Sequence, residues 1–195
     1  MPFYLEEIDI IPALTQFESV LIVPCRFCPA ASSAVSRNEP YIEFLSNFLK
    51  TGSYEQFIKN LKLNLENQGV KTDVMKSNLL HQFVLCSWTS KKRNKLAKRA
   101  RQYEALVVLG CEAAVHTIQD AVQSTSCQVI QGMKTVGLMS IKPKFHLPCN
   151  VSLELDSITP IQEGKETLAT NEKANTIPAA CFPAQAGGCL PQRVI

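Results

Sequence analysis

Two short runs with no polar residue inside them, Val20-Leu21-Ile22-Val23 and Ala105-Leu106-Val107-Val108-Leu109, constrain this chain more than any other feature of it. An apolar, largely β-branched run without alternation is the signature of a strand covered on both faces, as in the middle of a parallel sheet. Parallel neighbours must be joined by crossovers, usually helical. The stretches around the two runs supply candidates.

Residues 39–50 carry Tyr41, Phe44, Leu45, Phe48 and Leu49 at helical spacing. Thr51-Gly52-Ser53 then reads as a stop and N-cap, with Gln56 completing a capping box. A helix from Tyr54 to about Asn67 follows, with Phe57, Ile58, Leu61 and Leu65 on its inner stripe and Gly69 as its left-handed stop. Lys91 to Tyr103 predicts a basic helix after Thr89-Ser90, and Glu112 to Gln123 a further one. Strands are expected at 70–75, at Gln82-Phe83-Val84-Leu85-Cys86, at 128–130, at 136–141 and at 150–155. The alternation predicts an α/β fold with a doubly wound, mostly parallel sheet of the Rossmann-like or flavodoxin-like kind over residues 1–155. From 156 to 195 the chain turns to Thr, Pro, Ala, Gly and Gln without sustained apolar period, and predicts an extended or disordered tail.

At 195 residues, with 46% hydrophobic and 19% charged residues, the chain can bury one full core. Its amino terminus lacks a basic n-region and no run reaches the ~18 apolar residues of a membrane helix, so a cytoplasmic protein without a membrane span is expected. Thiols stay reduced there, and eight cysteines then point to metal or catalysis rather than to structural disulfides.

Four of the eight fall where an α/β sheet places its ligands, at the carboxyl ends of strands. Cys25 and Cys28, in Pro24-Cys25-Arg26-Phe27-Cys28-Pro29, follow the first apolar run. Cys86 closes the third expected strand, and Cys111 follows the second run at the start of a helix, whose dipole favours a thiolate. Four thiolates suit a tetrahedral zinc ion or an iron–sulfur cluster in number and softness. The metal set expected is therefore Cys25, Cys28, Cys86 and Cys111. A CxxC after a strand is equally compatible with a redox dithiol or with two small buried residues, and a lone Cys111 with a core position. Cys127, Cys149, Cys181 and Cys189 read as bystanders, and His81, His116 and His146 as structural, having no ligand-spaced partners.

No GxGxxG, Walker loop, HExxH or nucleophile elbow occurs, which removes dinucleotide, nucleotide, zinc-protease and serine-hydrolase readings. Lys91, Lys92, Arg93, Lys95, Lys98, Arg99 and Arg101 crowd one stretch of a chain whose net charge is only +3. No aromatic residue interleaves them, which argues against nucleic acid and for an acidic protein partner.

VPCRFCPAASSAV, VVLGCEAAVHTIQDAV and CQVIQGMKTVGLMS together resemble the cysteine-bearing, Rossmann-like MetV-type partner subunit of some bacterial methylenetetrahydrofolate reductases. The resemblance spans roughly the first three quarters of the chain. It carries Cys25, Cys28 and Cys111 onto motif positions, while the family's glycine-rich turn reads Cys111-Glu112-Ala113-Ala114 here, and its cysteine-rich C-terminal segment has only Cys181 and Cys189 to correspond. It implies a zinc- or iron–sulfur-holding accessory subunit in one-carbon or corrinoid-linked methyl or electron transfer, beside a flavin or iron–sulfur subunit. Two alternatives stay open, a thiol redox protein using Cys25 and Cys28, and a nucleic-acid-binding domain using the basic helix at 91–101.

Overall fold

The structure, a computed structural model, describes residues 2–43, 51–75, 84–146 and 150–161, all within one compact unit, Met1–Gln162. Both apolar runs are strands. β2 (Ser19–Pro24) and β5 (Ala105–Leu109) pair in parallel from Val20 opposite Ala105 to Pro24 opposite Leu109. Val20, Leu21, Ile22 and all five residues of β5 have no exposed surface, as a strand covered on both faces requires. β4 (Lys71–Val74) and β6 (Gln128–Gln131) complete a four-stranded parallel sheet in the order β4-β2-β5-β6.

The crossover helices are α3 (Gly52–Asn67), α4 (Ser90–Ala100) and α5 (Glu112–Val122), each with one buried stripe. In α3 that stripe is Tyr54, Ile58, Leu61 and Leu65, one residue per turn, and Gly69 closes the helix at φ +85°. The expected capping box does not form. Thr51 is the N-cap, its hydroxyl donating to the Tyr41 carbonyl at 2.5 Å, and Ser53 lies inside the first turn, buried.

The α/β fold and its parallel sheet are as expected, but that sheet is only one of two. A second, antiparallel sheet in the order β1-β7-β8-β3 joins β1 (Phe3–Glu7), β7 (Met133–His146), β8 (Asn150–Pro160) and the short β3 (Ile42–Glu43). Its long β7–β8 hairpin alternates. Ile141, Pro143 and Phe145 stand opposite Leu155, Leu153 and Val151, while Lys142 and Lys144 stand opposite Glu154 and Ser152. β8 continues to Pro160, so the tail expected from residue 156 starts no earlier than the end of that strand. Residues 162–195 lie outside the described residues, as do 44–50 of the helix expected at 39–50, whose Ile42 and Glu43 are strand instead.

Three further elements were not expected. They are β1, the short α1 (Ile11–Leu14), and α2 (Cys28–Arg37), which begins at the second cysteine of the CxxC. α2 ties the two sheets together. Its buried Ser32 hydroxyl receives the Leu5 amide of β1 at 2.9 Å and lies 3.0 Å from its own Cys28 carbonyl. No helix among the described residues is long and apolar enough to cross a membrane.

Gly137 sits where β1, β7 and β8 run side by side, paired with Tyr4 and Pro160. A Cβ there would collide with the Thr159 carbonyl oxygen, backbone that cannot rotate away. Gly137→Ala is therefore expected to lower the unfolding free energy by about 1–3 kcal/mol. Gly69→Ala meets no atom and suffers only its left-handed backbone, at about 1 kcal/mol. Urea denaturation of the two variants against wild type measures both, and an unchanged midpoint for Gly137→Ala would show that the second sheet is not packed as described.

Candidate functional site

The order β4-β2-β5-β6 reverses direction between β2 and β5, because the chain leaves β2 toward β4 and returns past β2 to β5. Loops after those two central strands diverge and leave a crevice at their carboxyl ends. The first is Cys25-Arg26-Phe27-Cys28 and the second is Gly110-Cys111. Cys25 extends the ladder by one residue, its amide donating to the Leu109 carbonyl at 2.9 Å. Gly110 is required opposite it, since a Cβ at that position would lie 3.3 Å from the Cys25 Cβ and 2.8 Å from that of Ala114.

Cys28 occupies the first position of α2, with Pro29 behind it, and Cys111 is the N-cap of α5. Two helix N-termini thus bring one sulfur each to the crevice, and the two sulfurs hydrogen-bond to one another. Cys28 donates and Cys111 accepts. The Cys111 thiol is held down to about 6 by this bond and by the amides of Ala114 and Ala113 at the head of α5, against the opposing effect of burial. Cys28 is pushed up, first because it gives its proton to that bond and then by burial. The pair therefore releases one proton early and holds the second. Cys25, 4% exposed, is pushed up to about 11, chiefly by burial, although the amides of Leu85 and Phe27 reach its sulfur.

The four expected residues all lie among the described residues. Cys25, Cys28 and Cys111 share one edge of the parallel sheet, and Cys86 is close enough for its charge to be felt at Cys25. Cys86 does not close a strand, however. It lies exposed in a 3₁₀ turn, Leu85–Ser87, whose Leu85 amide is the one that reaches Cys25, while residues 82–83 lie outside the described residues. Among the described residues, no three Cys, His, Asp or Glu side chains converge in a geometry that could hold a metal ion. The tight contact is Cys28 with Cys111, rather than Cys25 with Cys28. Cys127 precedes β6 at the opposite edge, His116 is exposed on α5 and His146 bonds Ser152 at 2.7 Å; His81, Cys149, Cys181 and Cys189 lie outside the described residues.

Two neighbours of the site were not foreseen. Arg26, inside the CxxC, makes a two-pronged pair with Glu55 in the first turn of α3, at 2.6 and 3.3 Å, with only 8% of its side chain exposed. The pair fastens the cysteine loop to α3, because a guanidinium this buried must keep its carboxylate. Tyr54, the next residue back on α3, is fully buried and donates to the Leu109 carbonyl at 3.3 Å, the oxygen that also receives the Cys25 amide. No spacing in the sequence links residue 26 to residue 55. A basic residue between two cysteines after a strand was the one available signal.

Removing the donor of the sulfur pair should release Cys111 from its depressed ionisation. Thiolate absorbance near 240 nm followed against pH is expected to show an early ionisation, well below the ordinary thiol range, in wild type. In Cys28→Ala that step is expected to move up toward the ordinary value, since the anion loses a donor. An early step that persists in Cys28→Ala but vanishes in Cys111→Ala would assign it to the helix terminus alone. Compared with protein-family models, with curated proteins and with solved structures, the chain matches none.

Proposed function

We propose that this chain is a metal-holding accessory subunit, in which Cys25, Cys28 and Cys111, with Cys86 from the adjoining turn, close around a soft metal at the crevice of a doubly wound sheet, since no three of them converge as a ligand set before it binds. The observation that carries the reading is the Cys28–Cys111 hydrogen bond, which sets a thiol proton between two distant parts of the chain. A thiophilic dication replaces such a proton, and the ease with which Cys111 ionises lowers the cost of doing so. Burial of Cys25 and Cys111 fits a ligand role better than attack on a large substrate. Zinc is the simplest occupant of a mononuclear thiolate site, and an iron–sulfur cluster shares the donor preference. A place beside a flavin or iron–sulfur subunit, in one-carbon or corrinoid-linked methyl or electron transfer, is supported by the resemblance of its cysteine motifs alone.

One observation favours a second reading. Sulfurs in hydrogen-bond contact are also placed to form a disulfide, so a thiol redox role would use Cys28 with Cys111 rather than Cys25 with Cys28. In that case the Cys111 thiolate attacks a substrate disulfide and expels one substrate thiolate. Cys28 then attacks the Cys111 sulfur of the mixed disulfide, releases the second thiolate and leaves a Cys28–Cys111 bond. The substrate gains the two electrons that the cysteine pair loses.

Elemental analysis of protein purified without oxygen is expected to show about one zinc or one cluster per chain. Cys28→Ser with Cys111→Ser is expected to lose it, and Cys127→Ser, at the far edge, to keep it. Full reactivity of every thiol in the metal-supplemented protein would reject metal binding. Mass spectrometry after oxidation with a glutathione disulfide buffer tests the second reading, for which a Cys28–Cys111 linkage is expected.

A further inference from the structure

We propose that the outer face of α4 is a docking surface for an acidic helix of a partner protein. At 100° per residue, Lys91, Lys95 and Lys98 fall in one narrow sector, opposite the buried Leu96 and Ala100 that seat the helix. All three are exposed, and none has an ion-pair partner among the described residues. The cations on the flanks are engaged. Arg99 reaches Asp73 at 3.4 Å, and Arg93 reaches Asp120 at 4.0 Å and the Trp88 carbonyl at 3.2 Å.

The pattern works against the helix that carries it. No acidic residue occupies the first turn, so Lys91, Lys92 and Arg93 stand at the positive end of the helix dipole. Lys91 with Lys95, and Lys95 with Lys98, are like-charge neighbours on one face. A row of carboxylates laid along this face would relieve both penalties at once. Lys91 to Lys98 covers about 10 Å, two helical turns. A partner helix with glutamates or aspartates repeating at i, i+4 and i+7 has the matching length and spacing. Nucleic acid is the poorer fit, because the nearest aromatic residues, Trp88 and Tyr103, are buried and leave the face no ring on which a base could stack. The surface stands on α4 alone and does not depend on metal binding at the cysteines.

Two synthetic helical peptides of identical composition test it against the full-length protein, one with its glutamates along a single face and one with them spread around the helix. Fluorescence anisotropy is expected to show the single-face peptide binding about tenfold more tightly, with the difference shrinking from low to physiological ionic strength as the Debye length falls to ~8 Å. The triple variant Lys91→Glu, Lys95→Glu, Lys98→Glu should lose that preference while its circular dichroism is unchanged, and the alanine triple variant should do the same without introducing repulsion. Equal binding of the two peptides, or a preference that survives the triple variants, overturns the proposal. Tighter binding of a short DNA duplex or single strand than of either peptide replaces it with a nucleic-acid surface.

Discussion

The pairing of β2 with β5 is the constraint on which the rest depends. These two strands never meet in sequence, yet their register, Val20 on Ala105 through Pro24 on Leu109, sets where each following loop begins. Pro24 has no amide to give, and the ladder resumes at Cys25, whose amide takes the Leu109 carbonyl. A slip of one residue would turn both apolar runs over and separate the cysteine loops. Strands buried on both faces hold that register firmly, since any slip would leave the flanking polar residues Ser19 and Glu104 in the core.

The second sheet contributes more than cover. Through Ser32, β1 positions the first turn of α2, and the Phe3 amide reaches the Cys28 sulfur. Glu112, at the first position of α5, receives Thr135 of β7 at 2.5 Å and Gln131 at 3.3 Å. Both helix termini that present the paired sulfurs are thus braced from the antiparallel side. The N-terminal segment therefore belongs to the site's support.

The parts of this architecture legible in the sequence are those that a single local pattern determines. β2 and β5 are uniformly apolar, and α3, α4 and α5 show their stripe at 3.6-residue spacing, so each announces itself within its own residues. The start of α2 is marked by Pro29 just inside it, a position that proline favours, but the two cysteines before it read as a strand-end site and not as a helix start. β1 is short and half polar. β7 and β8 are long but alternate lysine and glutamate with apolar residues as a surface hairpin does, so only their apolar halves read as strand. The edge on which the cysteines meet followed from the strand-end rule. Which two of them touch did not, because it depends on how α2 and α5 enter the crevice. Cys86 was placed by assuming a strand, and its surroundings, a 3₁₀ turn before a helix, obey no comparable rule.

The Cys28–Cys111 contact also bears on the chain as a polymer. The two residues bracket roughly 80 others, including β3, α3, β4, α4 and β5, nearly the whole path by which the parallel sheet is assembled. Any bond made between them, through a metal or directly, closes that path into a ring and removes open conformations from the unfolded ensemble. In the loop-entropy picture a ring of this size is worth about 4.5 kcal/mol, comparable to much of a small domain's entire stability. The state of two sulfur atoms would then set how firmly the whole sheet is held.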